Sequence, residues 1–202
     1  MNVLQIVPPI LKDKHNKYSW LTVPPDGYGG VENVVYSLIN GLIALGHKVT
    51  LLGAPGSRTM HGLTVIREAR SVKEIRQWIS QNVNSFDIIH DHSGGLVFNH
   101  KYKVGNAAYI ATHHMTGRSP YPQNTVYLSK NQKEQSGDIG SAPIIRIPVI
   151  SNDYIFKNRK KNYFLYIGRV SEWKGVYEAA SISKKMGIKL VVAGPTWESS
   201  YY

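Results

Sequence analysis

The stretch that most constrains this chain is Asp26-Gly27-Tyr28-Gly29-Gly30 and the run that follows it. Beyond the glycines, Val31, Val34, Val35, Leu38, Ile39, Leu42 and Leu45 recur at the spacing of a helix with one buried face. Gly46 ends the run, His47 and Lys48 sit at its negative end, and Val49-Thr50-Leu51-Leu52 reads as a buried strand. Glycines ahead of a helix let a ligand approach the backbone, and the helix start offers unpaired N–H groups and a partial positive charge. Two readings follow: a phosphate site, or a plain loop-to-helix turn in which glycine serves only the backbone dihedrals. No G-x-G-x-x-G occurs here and no acidic residue ends the next strand, which argues against a dinucleotide site. No G-x-x-x-x-G-K-S/T occurs either, which argues against a P-loop.

Elements on either side follow the same rhythm. Met1 to Val7 is too short and lacks the basic start of a signal peptide, and it reads as a first strand. Pro8 to Gly30 reads as a long loop, bracketed by proline pairs, with the bearing of a mobile flap over a site. Leu63 to Ile66 is a short strand. Ser71-Val72-Lys73-Glu74 fits a capping box, with Val72, Ile75, Ile79 and Val83 continuing a helix. Strands are expected at Phe86 to His90, Ala107 to Thr112, Thr125 to Leu128 and Ile144 to Ile147, with a short helix at Leu96 to His100 and a polar one at Ser129 to Gln135. Alternating strands and helices, several strands being continuous apolar runs, predict an α/β fold: a Rossmann-like parallel sheet with helices on both faces. Ligands of such sheets sit beyond the carboxyl ends of the strands.

Residues 1–150 are therefore read as one domain. Pro148 to Lys161 breaks the pattern, with Ser151-Asn152-Asp153 and the basic Lys157, Arg159, Lys160 and Lys161, and 151–161 is read as a linker. A second β-α-β unit then begins in 162–202: strand Tyr163 to Ile167, helix Trp173 to Met186, strand Lys189 to Ala193, and a turn through Trp197. So few elements cannot bury a core of their own, and this second domain reads as incomplete.

The chain carries 24 Lys and Arg against 13 Asp and Glu, a formal charge of +11. Residues 151–202 hold nine of these cations and four of the acids, about half of the excess. Such a field favours anionic partners: nucleotide sugars, nucleic acid or an anionic lipid surface. No reading helix or RNA-binding aromatic motif accompanies the charge, which argues against nucleic acid. Cysteine is absent, so disulfide and thiol chemistry are excluded. No apolar run approaches the roughly 20 residues of a membrane span.

Three clusters carry side chains suited to chemistry. Gly168 to Gly175 joins a strand to a helix; Arg169 offers a planar fork of donors and Lys174 a point charge, which suit a diphosphate, or else are surface cations. In His90-Asp91-His92 a strand would point the two histidines one way and Asp91 the other. There is no third His or Cys at ligand spacing, so a structural or substrate-contacting histidine is expected and no metal. His113-His114 ends a strand at the same edge, where a histidine bonds a sugar hydroxyl, accepts a proton or is simply solvated.

Four segments in order resemble family 4 glycosyltransferases, retaining enzymes of the GT-B fold: Asp26 to Glu32, Gly46 to Thr50, Ile89 to Ser93 and Phe164 to Gly175, with Val192 to Pro195 fitting too. The resemblance implies two Rossmann-like domains with the active site in the cleft between them. It implies transfer of a sugar from a nucleotide-sugar donor to an acceptor with no bound metal or cofactor. It implies that Gly29 and Gly30 face the donor diphosphate and that Arg169 and Lys174 hold it. The family's first-domain histidine maps to His114 or His113, and Asp91 and His92 fall toward the acceptor. The family's Glu-x7-Glu segment and nucleoside pocket have no counterpart here, and Glu198 is not that motif. Two expectations result: an enzyme, or the amino-terminal part of one, and a truncated, inactive glycosyltransferase that binds an acceptor or a partner. The acceptor is a sugar, a lipid-linked or a small molecule. Homo-oligomerisation through the incomplete second domain is one route to completing it. The expected location is cytoplasmic, with peripheral contact at the inner face of the membrane as the further alternative.

Overall fold

A computed structural model describes residues 1–7, 9–12, 18–20, 22–67, 71–94, 97, 105–117, 124–151 and 154–196. The chain divides into two compact units, Met1–Ile150 and Ser151–Tyr202.

The first unit is built on a six-stranded sheet of β1 (Asn2–Ile6), β4 (Lys48–Leu52), β5 (Leu63–Ile66), β6 (Ile88–Asp91), β7 (Ala108–Thr112) and β8 (Thr125–Val126), in the order β5-β4-β1-β6-β7-β8. Every pairing in it is parallel. All six strands therefore end at one edge. Strand β1 lies at the centre, between β4 and β6, and is buried on both faces. On one face Leu4 and Ile6 pack with Leu52, Ile89 and with Ile75 and Ile79 of α2 (Val72–Asn82). On the other, Val7, Val49, Leu51 and Leu63 pack with Val35 and Ile39 of α1 (Gly30–Ala44). Helices thus cover both faces, and the doubly covered strands are the apolar runs.

Helix α1 keeps its apolar stripe inward and ends as the glycine predicts: Gly46 takes φ +79°, and the His47 N–H donates to the Leu42 carbonyl at 3.0 Å. Leu45, the last residue of the expected stripe, lies past the helix and is exposed. Helix α2 starts with both halves of its capping box: Ser71 Oγ accepts from the Glu74 N–H at 3.2 Å, and the Glu74 carboxylate from the Ser71 N–H at 3.0 Å. Helix α3 (Lys130–Gln135) is capped by Ser129.

Three expectations are corrected. The segment Pro8 to Gly30 is not a structureless loop, because β2 (Pro9–Lys12) and β3 (Tyr18–Trp20) pair antiparallel within it. Ile144 to Ile147 is not a strand. It makes one bridge, Tyr127 to Ile144, since Ile144, Ile145 and Ile147 are all exposed and have no face to bury. The helix expected from Trp173 begins only at Val176, as α4 (Val176–Met186); Gly175, at φ +72°, separates it from a 3-10 turn over Glu172–Lys174. The helix expected at Leu96 to His100, the turn at Trp197 and Glu198 lie outside the described residues, except for Val97.

In the second unit β9 (Phe164–Ile167) and β10 (Leu190–Ala193) pair in parallel through α4. Their ends approach so closely that a Cβ at Gly194 would lie 1.8 Å from the Gly168 carbonyl oxygen, so only glycine fits there. Two strands and one helix cover little: Leu165, Ile167, Trp173 and Tyr177 are exposed. Residues 154–161 contain neither helix nor strand. Among the described residues no helix is long and apolar enough to cross a membrane.

Replacing Ser71 by Ala removes one half of the α2 capping box and should lower the unfolding free energy by about 1 kcal/mol. Urea denaturation followed by circular dichroism reads this directly, and an unshifted midpoint would show that the box contributes no stability.

Candidate functional site

The carboxyl ends of β1, β6 and β7 bring together three of the sequence clusters. Gly29 is the extended N-cap of α1, at φ −173°, and makes no side-chain cap. A Cβ there would lie 2.7 Å from Pro25 Cβ and 2.9 Å from Glu32 Oε2, so Gly29 serves close packing. A Cβ at Gly30 would meet nothing within 4 Å, so the first helical residue has open space on its side-chain side. Glu32 is buried in the first turn. Burial raises its carboxyl above the ordinary range, against a smaller lowering by a hydrogen bond to its own backbone.

Strand alternation then decides which side chains meet. Gln5 and His90 are register partners on adjacent strands, so they share a face, and His92, Thr112 and His114 follow on it at steps of two. This is the face of Val7, the one covered by α1. Their polar atoms form an unbroken line. His114 Nε2 lies 2.9 Å from His92 Nδ1, and His92 Nε2 lies 2.8 Å from Gln5 Oε1. Gln5 Nε2 lies 3.4 Å from His90 Nδ1, and His90 Nε2 lies 2.8 Å from Thr112 Oγ1. The rings of His90 and His92 are 4.2 Å apart and those of His92 and His114 5.2 Å. Burial holds all three imidazoles neutral: His90 and His114 are lowered to about 4, with His114 and His113 respectively adding like-charge repulsion, and His92 is lowered well below the ordinary value.

Asp91 points the opposite way. It is fully buried, and its carboxylate accepts from the Ser93 N–H at 2.7 Å, the Ser93 hydroxyl at 2.9 Å and the Tyr109 hydroxyl at 2.9 Å. Burial raises its pKa, and these bonds lower it in part. Asp91 thus fixes the loop that follows β6. His113 also turns away from the line: its Nε2 donates to the Gly117 carbonyl at 3.0 Å, and its ring meets Tyr127 edge-on. Gln132 of α3 donates to the carbonyls of His113 at 2.7 Å and Met115 at 2.9 Å, tying down the backbone that presents His114. Among the described residues no group of three or more His, Cys, Asp or Glu is placed to hold a metal ion.

Gln5, Thr112, Tyr109 and Gln132 were not among the sequence candidates. Gln5 alone carried a signal: one polar residue inside the apolar run Val3 to Val7.

In the second unit, Arg169 and Lys174 lie on the connection from β9 to α4. The Tyr166 hydroxyl donates to the Arg169 carbonyl at 2.8 Å, with the Lys174 carbonyl 3.2 Å from the same oxygen, so one side chain gathers both ends of the loop. The Val170 N–H donates to the Pro195 carbonyl at 3.0 Å, extending the β9–β10 pairing into it. Arg169 is half-buried and Lys174 exposed.

A parallel α/β sheet with this edge defines a class that the comparisons identify. Residues 28–135 match the model of the family described as Glycosyltransferase Family 4. The chain belongs to glycosyltransferase family 4. Among solved structures it is similar to AviGT4, a glycosyltransferase involved in Avilamycin A biosynthesis, with 38% identity and a TM-score of 0.84 over 99% of this chain. The chain spans 58% of the length of that structure. No curated protein matches it.

The neutral histidines set a pH dependence. Their pKa values are depressed on folding, so the unfolded chain binds more protons and stability is lost as pH falls from 6.5 toward about 4. Asp91 and Glu32, raised by burial, act in the opposite sense. A His90→Asn variant isolates one histidine: its stability should fall less steeply than wild type below pH 6.5, by up to about 1.4 kcal/mol per pH unit. Parallel profiles of denaturation midpoint against pH would show that His90 does not titrate differently on folding.

Proposed function

We propose that this chain acts in the transfer of a sugar from a nucleotide-sugar donor to an acceptor hydroxyl, with retention at the sugar carbon. The observation that carries the reading is a neutral histidine, His114, held by buried partners at the carboxyl edge of the sheet. A neutral imidazole accepts a hydrogen bond from a sugar hydroxyl and leaves positive charge to other groups. His92 and Asp91 belong to the acceptor side, His92 by bonding His114 and Asp91 by shaping the loop after β6. His113, tied to Gly117, supports rather than contacts the sugar.

In the reaction the bond from the sugar carbon to the diphosphate oxygen breaks and the acceptor oxygen bonds to that carbon. The acceptor proton passes to the departing diphosphate oxygen, and the negative charge that develops as the bond breaks is carried by that diphosphate. Each unit offers an element suited to stabilising that charge: the helix start at Gly29 and Gly30, and the Arg169 and Lys174 loop. Charge compensation by the protein's own cations makes a bound metal unnecessary in this reading. The +11 charge suits a nucleotide sugar and equally an acceptor at an anionic membrane surface, in a cytoplasmic setting.

The specific test is donor binding. In calorimetric titrations with UDP, GDP, ADP and TDP, Arg169→Ala and Lys174→Ala should each weaken the preferred nucleotide about tenfold, the loss of one charge-assisted hydrogen bond. Wild-type affinity in both variants would sink the assignment.

A second reading, a binding module without turnover, is favoured by the exposed Leu165, Ile167, Trp173 and Tyr177 of the second unit, which call for a covering surface. Native mass spectrometry of the protein from its own cells separates the two. A mass equal to one copy of this chain, with no turnover, supports the module. A larger mass, from a longer chain or a second copy, supports completion of the second unit and with it the enzyme.

A further inference from the structure

The line of side chains beneath His114 has a direction. Gln5 is fully buried, and its amide faces a histidine on each side, oxygen toward His92 and nitrogen toward His90. A carbonyl oxygen only accepts and an amide nitrogen only donates. His92 must therefore carry its proton on Nε2, the nitrogen facing Gln5 Oε1. Being neutral, it then offers a lone pair on Nδ1, and the facing His114 Nε2 must carry a proton to donate to it at 2.9 Å. On the other side, the Gln5 N–H donates to His90 Nδ1, so His90 holds its proton on Nε2 and donates to Thr112 Oγ1 at 2.8 Å. Every link runs the same way, from His114 to Thr112.

The consequence falls on His114, the partly exposed ring at the start of the line. With its proton on Nε2, His114 presents an unprotonated Nδ1, and among the described residues no protein group bonds that atom. We infer that Gln5 is a positioning residue: through His92 it fixes the tautomer of His114, so that Nδ1 meets the substrate as a hydrogen-bond acceptor for a hydroxyl. The part that concerns substrate rests on the reading under Proposed function. The tautomer itself does not. The opposite amide orientation would reverse every link and put a proton on His114 Nδ1, turning the same atom into a donor. With the amide oriented as it is, its oxygen and nitrogen set the tautomers of both neighbouring imidazoles, and reorienting it would require every ring of the line to change tautomer together.

Sequence logic explains why a glutamine does this. An apolar residue at position 5 would pack equally well between β4 and β6 and would leave His92 Nε2 buried without a partner. A carboxylate would accept from both neighbours and break the single direction at His90.

The experiment is long-range proton–nitrogen correlation NMR on the 202-residue chain, labelled with nitrogen-15 in histidine, at pH 7.5 and without any sugar. In wild type, His90, His92 and His114 should all show the Nε2–H tautomer, and a scalar coupling should cross the His114 Nε2–H to His92 Nδ1 bond. A proton on His114 Nδ1, or no coupling between these two rings, would overturn the inference with no variant needed. Gln5→Met keeps the side-chain length and loses the amide. It should give His92 and His114 a measurable Nδ1–H population. If that variant folds and both rings stay wholly Nε2–H, Gln5 is not what sets them. Because no donor is present, these outcomes are independent of the nucleotide titrations that test Arg169 and Lys174.

Discussion

Strand β1 has neither a solvated face nor a free edge, and this governs what the rest of the first unit can be. With β4 on one side, β6 on the other and a helix over each face, each β1 side chain beyond Asn2 must be apolar or fully bonded. Val3, Leu4 and Ile6 take the first course and Gln5 the second. One buried amide in such a strand obliges its neighbours to supply a donor and an acceptor at matching height. His90 lies opposite it in register, and His92 lies one step further on. A central strand's solvation problem is thereby connected to the sheet edge, where His114 stands.

Much of this architecture was legible in the residues. The stripe of α1, the box of α2 and the continuous apolar strands are local patterns whose periods are set by the geometry of one element, and each is present, several with shifted ends: Leu45 lies past α1, Phe86 and Asp87 precede β6, and Tyr127 and Leu128 lie beyond β8. The opposed directions of His90 and His92 against Asp91 followed from strand alternation alone. What was not legible depends on contacts distant in sequence. Gln5 and His92 are far apart along the chain, and nothing near Gln5 says that its amide lies between two rings. The pairing of β2 with β3 is hidden because Pro9 and the lysines after it carry no alternation. Ile144 to Ile147 looks like a strand by composition, and lacks a second layer to bury it.

The two units contribute different kinds of group. The first holds several titratable groups in low-dielectric surroundings, where burial discharges His90, His92 and His114 and raises Asp91 and Glu32. The second carries two of its cations, Arg169 and Lys174, on a short loop gathered by Tyr166, with Lys174 in solvent. Charge kept outside and hydrogen-bond geometry kept inside is a workable division for the proposed transfer, in which the leaving group would be a polyanion and the other partners neutral hydroxyls. Steering by the net charge acts at long range, whereas the direction of a buried imidazole acts only on contact.

That division also bears on how a proton could move. If His114 takes a proton, it must take it on the nitrogen that is free. With the line running from His114 to Thr112, that nitrogen is Nδ1, and the imidazolium keeps its Nε2–H bond to His92 intact. No buried partner is lost on protonation, so the cost is the charge alone, and a nearby diphosphate would offset it. With the line reversed, His114 would already carry its proton at Nδ1 and could be protonated only at Nε2, where the His92 N–H points. Two donors would then face each other in a buried space. The orientation of one amide at the centre of the sheet therefore separates a histidine able both to accept a hydroxyl's hydrogen bond and to receive its proton from one able to do neither.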